Sequence, residues 1–153
     1  MQKCAVFGHR DFNPTNNEKN AIKSYIENLV AKNQSLMFYC LEPNGFNMFV
    51  ISFLNELKLK YPKIKIIWIL AYLNYKLDDY DKRWIKSHID ETIYPPIEKY
   101  LPRYAMIERN NWIIKNCDFA LFYVKYKISN SFKILNYARS KKMPLINFAE
   151  LYC

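Results

Sequence analysis

The chain has little glycine, no closely spaced cysteine pair and no long hydrophobic run. Only two of its 153 residues are glycine, Gly8 and Gly45. The longest apolar run, residues 64–73, contains Lys65 and is too short to span a membrane. The four cysteines lie far apart, at Cys4, Cys40, Cys117 and Cys153. That spacing matches no metal site and suits a reducing cytosol. We therefore expect a cytoplasmic protein with no metal, no cofactor and no membrane partner.

The bulk composition is that of a packed globule. Hydrophobic residues make up 51% of the chain and aromatic residues 17%, which excludes disorder. The formal net charge of +9 is scattered and forms no basic tail. We interpret it as solvated helix faces that also attract small anions. Nucleic acid is not the expected partner, because the aromatic residues fall at core spacing and the lysines do not interleave with them on one face.

Two periodicities alternate along the first part of the chain. Helical spacing of apolar residues predicts one helix that starts near residues 13–14 and continues through 22–30, and another over 46–57. Short apolar runs between these helices predict strands at Cys4–Phe7, Leu36–Leu41 and Ile64–Tyr72. This β-α-β-α-β order is the first half of a doubly wound sheet.

A polar insertion around residues 74–104 separates the two halves, with a short helix expected near 84–89. Beyond it the pattern predicts a helix, a strand, a helix and a last strand, at 106–117, Phe119–Val124, 132–138 and Leu145–Phe148. We expect residues 1–153 to form a single three-layer, Rossmann-like α/β domain. Its central, mostly parallel sheet would have about five strands, with helices on both faces.

Ligands of such sheets bind at the carboxyl ends of the strands, where neighbouring connections leave on opposite faces. With a strand order of 3-2-1-4-5, that point lies between the first and fourth strands. Three loops remote in sequence then meet there, at residues 8–11, 41–47 and 125–131. Gly8-His9-Arg10 follows the first strand directly and brings cationic side chains to this edge, which favours an anionic ligand.

Several short motifs follow one another in a characteristic order. They are Phe7-Gly8-His9-Arg10-Asp11, the link at 57–65, Thr92-Ile93-Tyr94-Pro95, Arg103-Tyr104-Ala105-Met106, Arg109-Asn110-Asn111-Trp112-Ile113 and Tyr137-Ala138-Arg139. Together they resemble the DUF1273-like branch of the SLOG superfamily, over nearly the whole chain. That superfamily groups the Lonely Guy cytokinin-activating hydrolases, the DprA/Smf proteins and nucleotide-sensing domains of bacterial defence systems.

The resemblance implies a Rossmann-like fold that binds nucleotides or nucleotide-derived ligands at the edge described above. Hydrolases of the superfamily cleave the N-glycosidic bond of a nucleoside monophosphate, using a glycine-rich phosphate loop and a carboxylate. This chain departs from the pattern at both glycine-rich places. Asn47 stands where relatives carry aspartate at the end of a glycine-rich turn, and Ser129-Asn130-Ser131 replaces a Gly-Gly pair. Glycine lets backbone N–H groups approach phosphate, so its loss argues against the ancestral mode of capture.

The candidate ligand contacts lie on the three loops and on the helix after the insertion. Arg10 is the first choice, because guanidinium pairs bidentately with phosphate or carboxylate; the alternative is an ion pair with Asp11 or with the insertion. Arg109 faces the crevice by resemblance, and its alternative is a pair with Glu108 or another surface carboxylate. The full predicted ligand-binding set is Gly8, His9, Arg10, Asn44, Asn47, Arg109, Asn110, Ser129, Asn130 and Ser131.

Catalytic candidates are few. His9 could act as a general acid, but no serine, cysteine or carboxylate stands beside it at a recognisable catalytic spacing, and a loop histidine that bonds the backbone is the favoured interpretation. Glu42 is the candidate base for a glycosidic hydrolysis, although a solvated turn residue before Pro43 is favoured. The acidic cluster Asp78-Asp79-Asp81 lacks the spacing of a calcium loop and is interpreted as solvated.

These features favour a protein that binds a small nucleotide-derived ligand without turning it over, for sensing or for sequestration. Sequestration would suit an anti-defence protein of a phage or mobile element. The first alternative is an N-glycosidase or phosphoribohydrolase of the Lonely Guy type that acts on a nucleoside monophosphate. The second is an interaction module with a silent pocket. The aromatic content and the resemblance also lead us to expect a homo-oligomer.

Overall fold

A parallel six-stranded sheet organises the computed structural model, which describes residues 1–151. Its strands are β1 (Lys3–Gly8), β2 (Met37–Cys40), β3 (Lys65–Ile69), β4 (Glu91–Ile93), β5 (Phe119–Tyr123) and β6 (Leu145–Asn147). They are ordered β4-β3-β2-β1-β5-β6, and every neighbouring pair is parallel. Cys153, one of the four cysteines considered above, lies outside the described residues.

The helices connect successive strands and cover both faces of the sheet. They are α1 (Asn16–Lys32), α2 (Gly45–Leu57), α3 (Asp79–His88), α4 (Ala105–Asn116), α5 (Asn130–Ser140) and the short α6 (Phe148–Leu151), with a 3₁₀ turn at Pro102–Tyr104. Across residues 1–151, none of these helices combines the length and the apolar character that crossing a membrane requires.

Alternating residues of the central strands feed two separate cores. In β1, Cys4 and Val6 pack with α1 and α2, whereas Ala5 and Phe7 pack with α4 and α5 on the other face. Both sets are fully buried, as expected for a parallel strand covered by helices on two sides. The prediction of a three-layer Rossmann-like α/β fold is therefore confirmed.

The observed strand order contains the predicted 3-2-1-4-5 order, with one additional edge strand. That strand, β4, lies in the segment predicted to be a polar insertion, and the helix before it is longer than the expected 84–89. The sequence does not reveal β4 because it has only three residues, and Glu91 and Thr92 are exposed at the sheet edge. Such a strand shows no apolar run.

Helix α1 begins two residues later than the expected start near 13–14. Thr15 is the N-cap, and its hydroxyl accepts a hydrogen bond from the backbone N–H of Glu18. The Glu18 carboxylate in turn accepts from the Thr15 N–H, which completes a capping box. This reciprocal cap fixes the helix start more strongly than Pro14 does.

Candidate functional site

Three loops meet at the carboxyl ends of β1, β2 and β5, and we call them together the three-loop edge: residues 8–11, 41–47 and 125–131. The carbonyl oxygen of His9 accepts a hydrogen bond from the Phe46 N–H at 3.0 Å. The Ser131 hydroxyl donates to the Gly8 carbonyl at 3.3 Å. These bonds join the first loop to each of the others, so the loops converge as the strand order predicts.

The imidazole of His9 lies inside the three-loop edge and is only 7% exposed. Its Nε2 accepts backbone hydrogen bonds from Lys125 at 2.8 Å and from Tyr126 at 3.2 Å. An acceptor Nε2 requires a neutral ring with its proton on Nδ1. Burial lowers the pKa of His9, and the opposing charge of Asp11 only partly offsets this effect. The interpretation of His9 as a histidine that bonds the backbone is confirmed.

The His9 ring occupies donors that this fold could otherwise offer to an anion. Backbone N–H groups after a strand, at the approach to a helix N-terminus, are common phosphate donors in Rossmann-like sheets. Here the N–H groups of Lys125 and Tyr126 are satisfied by a side chain of the same protein. An anion at this point would have to displace the imidazole.

Both glycines serve the contact between the first loop and the start of α2. A Cβ atom at Gly8 would lie 2.5 Å from the Phe46 side chain. Gly45 has a positive φ of 54°, and a Cβ there would lie 2.2 Å from the His9 carbonyl oxygen. Each position therefore excludes a larger residue for reasons of internal packing. Whether Gly8 also contacts a ligand stays a prediction.

Arg10 is one of three exposed cations of the three-loop edge, with Lys125 and Lys127. Within residues 1–151, its guanidinium makes no ion pair and no hydrogen bond. The neighbouring Asp11 instead accepts a hydrogen bond from the Asn13 side chain at 2.6 Å. The alternative of an Arg10 pair with Asp11 or with the insertion is therefore not observed, and the Arg10 charge faces solvent.

The predicted Ser and Asn contacts form two groups: side chains that hydrogen-bond within residues 1–151 and side chains that do not. Ser129 caps α5 by accepting from the Phe132 N–H at 3.1 Å. The Asn47 side chain is 3% exposed, and its Oδ1 accepts from the Leu41 N–H at 2.9 Å. Asn130 is exposed, and Asn44 begins α2 without a side-chain capping bond. Asn44 and Asn130 are thus the two whose side chains remain available at this edge.

An ion pair joins α4 to Glu42, a residue of the three-loop edge that follows β2. The Arg109 side chain is fully buried, and it donates to Glu42 through Nη1 at 2.8 Å and Nη2 at 3.0 Å. It also donates from Nη1 to the Ile69 carbonyl and from Nε to the Asn110 Oδ1, both at 2.8 Å. The alternative of a pair with Glu108 on the same helix is not observed, since the partner of Arg109 is 67 residues away in the sequence. The predicted ligand contacts of Arg109 and Asn110 stay untested; in this structure their polar atoms bond each other and the protein.

Glu42 accepts two further side-chain hydrogen bonds. The Tyr75 hydroxyl donates to its Oε2 at 2.9 Å and the Trp68 indole N–H at 3.4 Å. Burial acts to raise the pKa of Glu42, but the hydrogen bonds and charge of Arg109, together with Tyr75, outweigh it and hold that pKa below the ordinary value. Burial and the Glu42 charge raise the pKa of Tyr75 to about 12. The interpretation of Glu42 as a solvated turn residue is therefore wrong.

The clamp on Glu42 limits what its carboxylate can do chemically. A general base needs a pKa near the working pH and a free lone pair aimed at the proton it removes. Glu42 is ionised with a depressed pKa, and its Oε2 already accepts from three side chains. This geometry suits a structural or hydrogen-bond-accepting carboxylate better than a catalytic one.

A cavity of about 300 Å³ lies between Glu42 and helix α3, and we call it the aromatic pocket. Its walls include four aromatic side chains and two carboxylates, from Trp68, Tyr75, Tyr80, Trp84, Glu42 and Asp81. No lysine or arginine lines it. Sequence reasoning missed this pocket because three of the aromatic residues lie in the segment interpreted as a polar insertion. Among residues 1–151, no three His, Cys, Asp or Glu side chains are placed to hold a metal ion.

Comparison with known proteins supports the fold. No protein-family model matches the chain, and no curated protein matches it. The solved structure of DNA processing protein A (DprA) from Streptococcus pneumoniae superposes on it with a TM-score of 0.65 at 18% identity, over 95% of this chain and 49% of that one. The fold is DprA-like. The chain spans about half the length of DprA, and at this identity the likeness concerns the fold alone.

Proposed function

We propose that this chain is a DUF1273-like SLOG protein that binds a small nucleotide-derived ligand at the carboxyl edge of its sheet without turning it over. Two features support binding there. Arg10 offers an exposed charge that has no ion pair among residues 1–151, and the aromatic pocket offers a cavity of about 300 Å³. Residues 41–47 link the two, because Asn44 lines the pocket and Phe46 bonds the loop before Arg10. A ligand with a planar base and an anionic phosphate suits these two features, because the base can stack in the aromatic pocket and the phosphate can pair with Arg10.

The absence of turnover in this proposal follows from the Glu42 clamp. Glu42 is the carboxylate that sequence reasoning offered for glycosidic hydrolysis, and Arg109 neutralises it bidentately from a fully buried position. A carboxylate in that state neither accepts a proton readily nor attacks an anomeric carbon. Binding without cleavage suits a cytoplasmic sensor or sponge, and a homo-oligomer would multiply the sites.

A thermal-shift panel combined with chromatography tests the proposal. The purified protein is heated with nucleoside monophosphates, ribose 5-phosphate and cyclic ADP-ribose, and each mixture is then analysed for free base. We expect at least one compound to raise the melting temperature, because a ligand that binds only the folded state stabilises it by mass action. We expect no free base from that compound.

The other functions give different outcomes in the same panel. Free base that appears with the native protein and disappears with Glu42→Gln would establish the hydrolase and contradict the proposal. A chain that responds to no compound yet forms a defined oligomer would be an interaction module. A DNA oligonucleotide serves as a further sample because the similar structure is that of a DNA processing protein. Binding of DNA without any response to nucleotides would also overturn the proposal.

A further inference from the structure

We infer that the aromatic pocket is a nucleobase site that selects bases carrying N–H donors and that supplies most of the specificity for the ligand. This inference rests on the proposed function. It adds that the protein recognises the ligand mainly by its base. It assigns recognition to Glu42 and to the aromatic residues around α3. The three-loop edge then has a secondary role.

The walls of the pocket favour a flat, stacking group. Trp68 and Tyr75 pack with ring centroids 4.9 Å apart, and Tyr80 on α3 is 67% exposed although it lines the cavity. Aromatic side chains stack on nucleobases with little regard to sequence because every base has a π face. The cavity of about 300 Å³ is at the lower end of the size range of ligand pockets, roughly 300–1,000 Å³. A nucleobase fits this combination better than a large ligand does.

The lining of the pocket favours a hydrogen-bond donor over a phosphate. The whole chain carries a formal charge of +9, yet among residues 1–151 the pocket is lined by two carboxylates and by no lysine or arginine; Lys82 and Lys86 line the adjoining cavity. Arg109 neutralises Glu42 from a fully buried position, so it offers a guest no exposed donor. Asp81 is exposed and makes no ion pair among residues 1–151. A group that donates hydrogen bonds is therefore the favoured occupant.

The side-chain hydrogen bonds of Glu42 are divided unevenly between its two oxygens, and the Glu42 backbone N–H also bonds the carboxylate. Its Oε2 receives Arg109, Tyr75 and Trp68, whereas Oε1 receives a single side-chain donor, Arg109 Nη2. Each carboxylate oxygen has about two acceptor sites. The side chain remains 23% exposed and lines the pocket. The amino group of adenine, cytosine or guanine is a donor suited to this carboxylate, and a bond to a charged acceptor is stronger than a neutral one.

The three-loop edge explains why we expect the base, and not the phosphate, to supply most of the binding affinity. The imidazole of His9 already takes the backbone donors of Lys125 and Tyr126. The Ser131 hydroxyl donates to the Gly8 carbonyl, and the Ser129 hydroxyl donates to the Tyr126 carbonyl. A phosphate at the three-loop edge therefore meets chiefly the exposed cations Arg10, Lys125 and Lys127, which are screened by solvent. Such a contact adds modest affinity.

Titration calorimetry with matched nucleosides tests the inference. Adenosine, guanosine and cytidine are compared with purine riboside, which is adenosine without its amino group, and with ribose 5-phosphate. We expect at least one amino-bearing nucleoside to bind without any phosphate, and purine riboside to bind roughly tenfold or more weakly than it, since one hydrogen bond to a charged acceptor is lost. Equal binding of purine riboside would overturn the inference.

The same titration separates this inference from the proposed function. If ribose 5-phosphate and nucleotides bind while nucleosides do not, the ligand is read by its phosphate, and the inference fails while the proposed function stands. If neither nucleosides nor nucleotides bind, both fail.

A variant pair keeps the test specific to the pocket. Tyr80→Ala removes an exposed stacking surface without a side-chain hydrogen bond to lose, and we expect it to weaken nucleoside binding several-fold. Tyr100→Ala, at a tyrosine that is 40% exposed outside the pocket, is the matched control and should leave binding unchanged. Equal affinities for both variants would contradict the assignment of the base to this pocket.

Discussion

The three-loop edge and the aromatic pocket lie side by side on one fold, but they use their polar groups in opposite ways. At the three-loop edge, loop donors bond internal acceptors such as His9, and the exposed cations are Arg10, Lys125 and Lys127. In the aromatic pocket, space remains, and the polar group that borders it is a carboxylate held rigid by Arg109. The difference teaches that loop donors at the carboxyl edge of a Rossmann-like sheet can be used by internal hydrogen bonds while a cavity stays open beside them.

The largest expected effect comes from a substitution that breaks the Glu42–Arg109 ion pair beside the aromatic pocket. Glu42→Gln would leave the fully buried guanidinium of Arg109 without its counter-charge. We expect a loss of roughly 2–3 kcal/mol in the free energy of unfolding, below the full effect for a buried pair because Glu42 is partly exposed. Denaturant unfolding measures it. Glu56→Gln, an exposed glutamate on α2, is the control and should change stability little. Equal losses would contradict the structural role of Glu42.

The same pair predicts an acid dependence with a defined sign. The folded state holds the pKa of Glu42 below its ordinary value of 4.5, so its contribution is complete at neutral pH. As the pH falls below that value, the unfolded chain binds the proton first and the contribution shrinks. The stability difference between the native protein and Glu42→Gln should therefore narrow from pH 7 toward pH 3. A constant difference over this range would show that the carboxylate charge is unimportant.

The second effect concerns the three-loop edge and is smaller. His9→Phe would leave the N–H groups of Lys125 and Tyr126 without their acceptor, and we expect a loss of about 1–2 kcal/mol in the free energy of unfolding. Because burial lowers the pKa of His9 from 6.5, the unfolded chain binds the proton first as the pH falls below that value. The native protein should thus lose stability below pH 6.5. An identical decline in His9→Phe would assign the effect to other groups.

The smallest expected effect comes from Arg10→Ala, which distinguishes the two regions by comparing the binding of a nucleotide with that of its nucleoside. Arg10→Ala should leave stability within about 0.5 kcal/mol, because its side chain is exposed and unpaired within residues 1–151. It should weaken a nucleoside monophosphate a few-fold and leave the corresponding nucleoside unaffected. Lys63→Ala also removes one positive charge and is the matched control. Lys63 lies just before β3, at the amino ends of the parallel strands and away from the three-loop edge. If Arg10→Ala weakened nucleoside and nucleotide equally, Arg10 would not mark the phosphate end.

The fold could be predicted from the sequence because its central strands are apolar runs between helical stripes. The meeting of the three loops follows once the strand order 3-2-1-4-5, typical of such sheets, is assumed, and the structure contains that order. The edge strand β4 was missed because it is short and polar on its exposed side. His9 was interpreted correctly because no catalytic partner stands near it in the sequence.

The site was less predictable because its key contacts are remote in sequence. Glu42 and Arg109 are 67 residues apart, and neither carries a local signal of the other. The aromatic residues of the pocket were hidden in a segment whose prolines, aspartates and lysines suggested a solvated insertion. Only the packing of α3 over the end of β3 brings Trp84 and Tyr80 to the same cavity as Trp68.

A crystal structure of the protein with a bound amino-bearing nucleoside monophosphate tests the central claim most directly. The account predicts the base in the aromatic pocket with an N–H directed at Glu42, the phosphate toward Arg10, the glycosidic bond intact and His9 still bonded to Lys125 and Tyr126. A phosphate seated on the Lys125 and Tyr126 N–H groups with the His9 ring displaced, and the base outside the pocket, would contradict it.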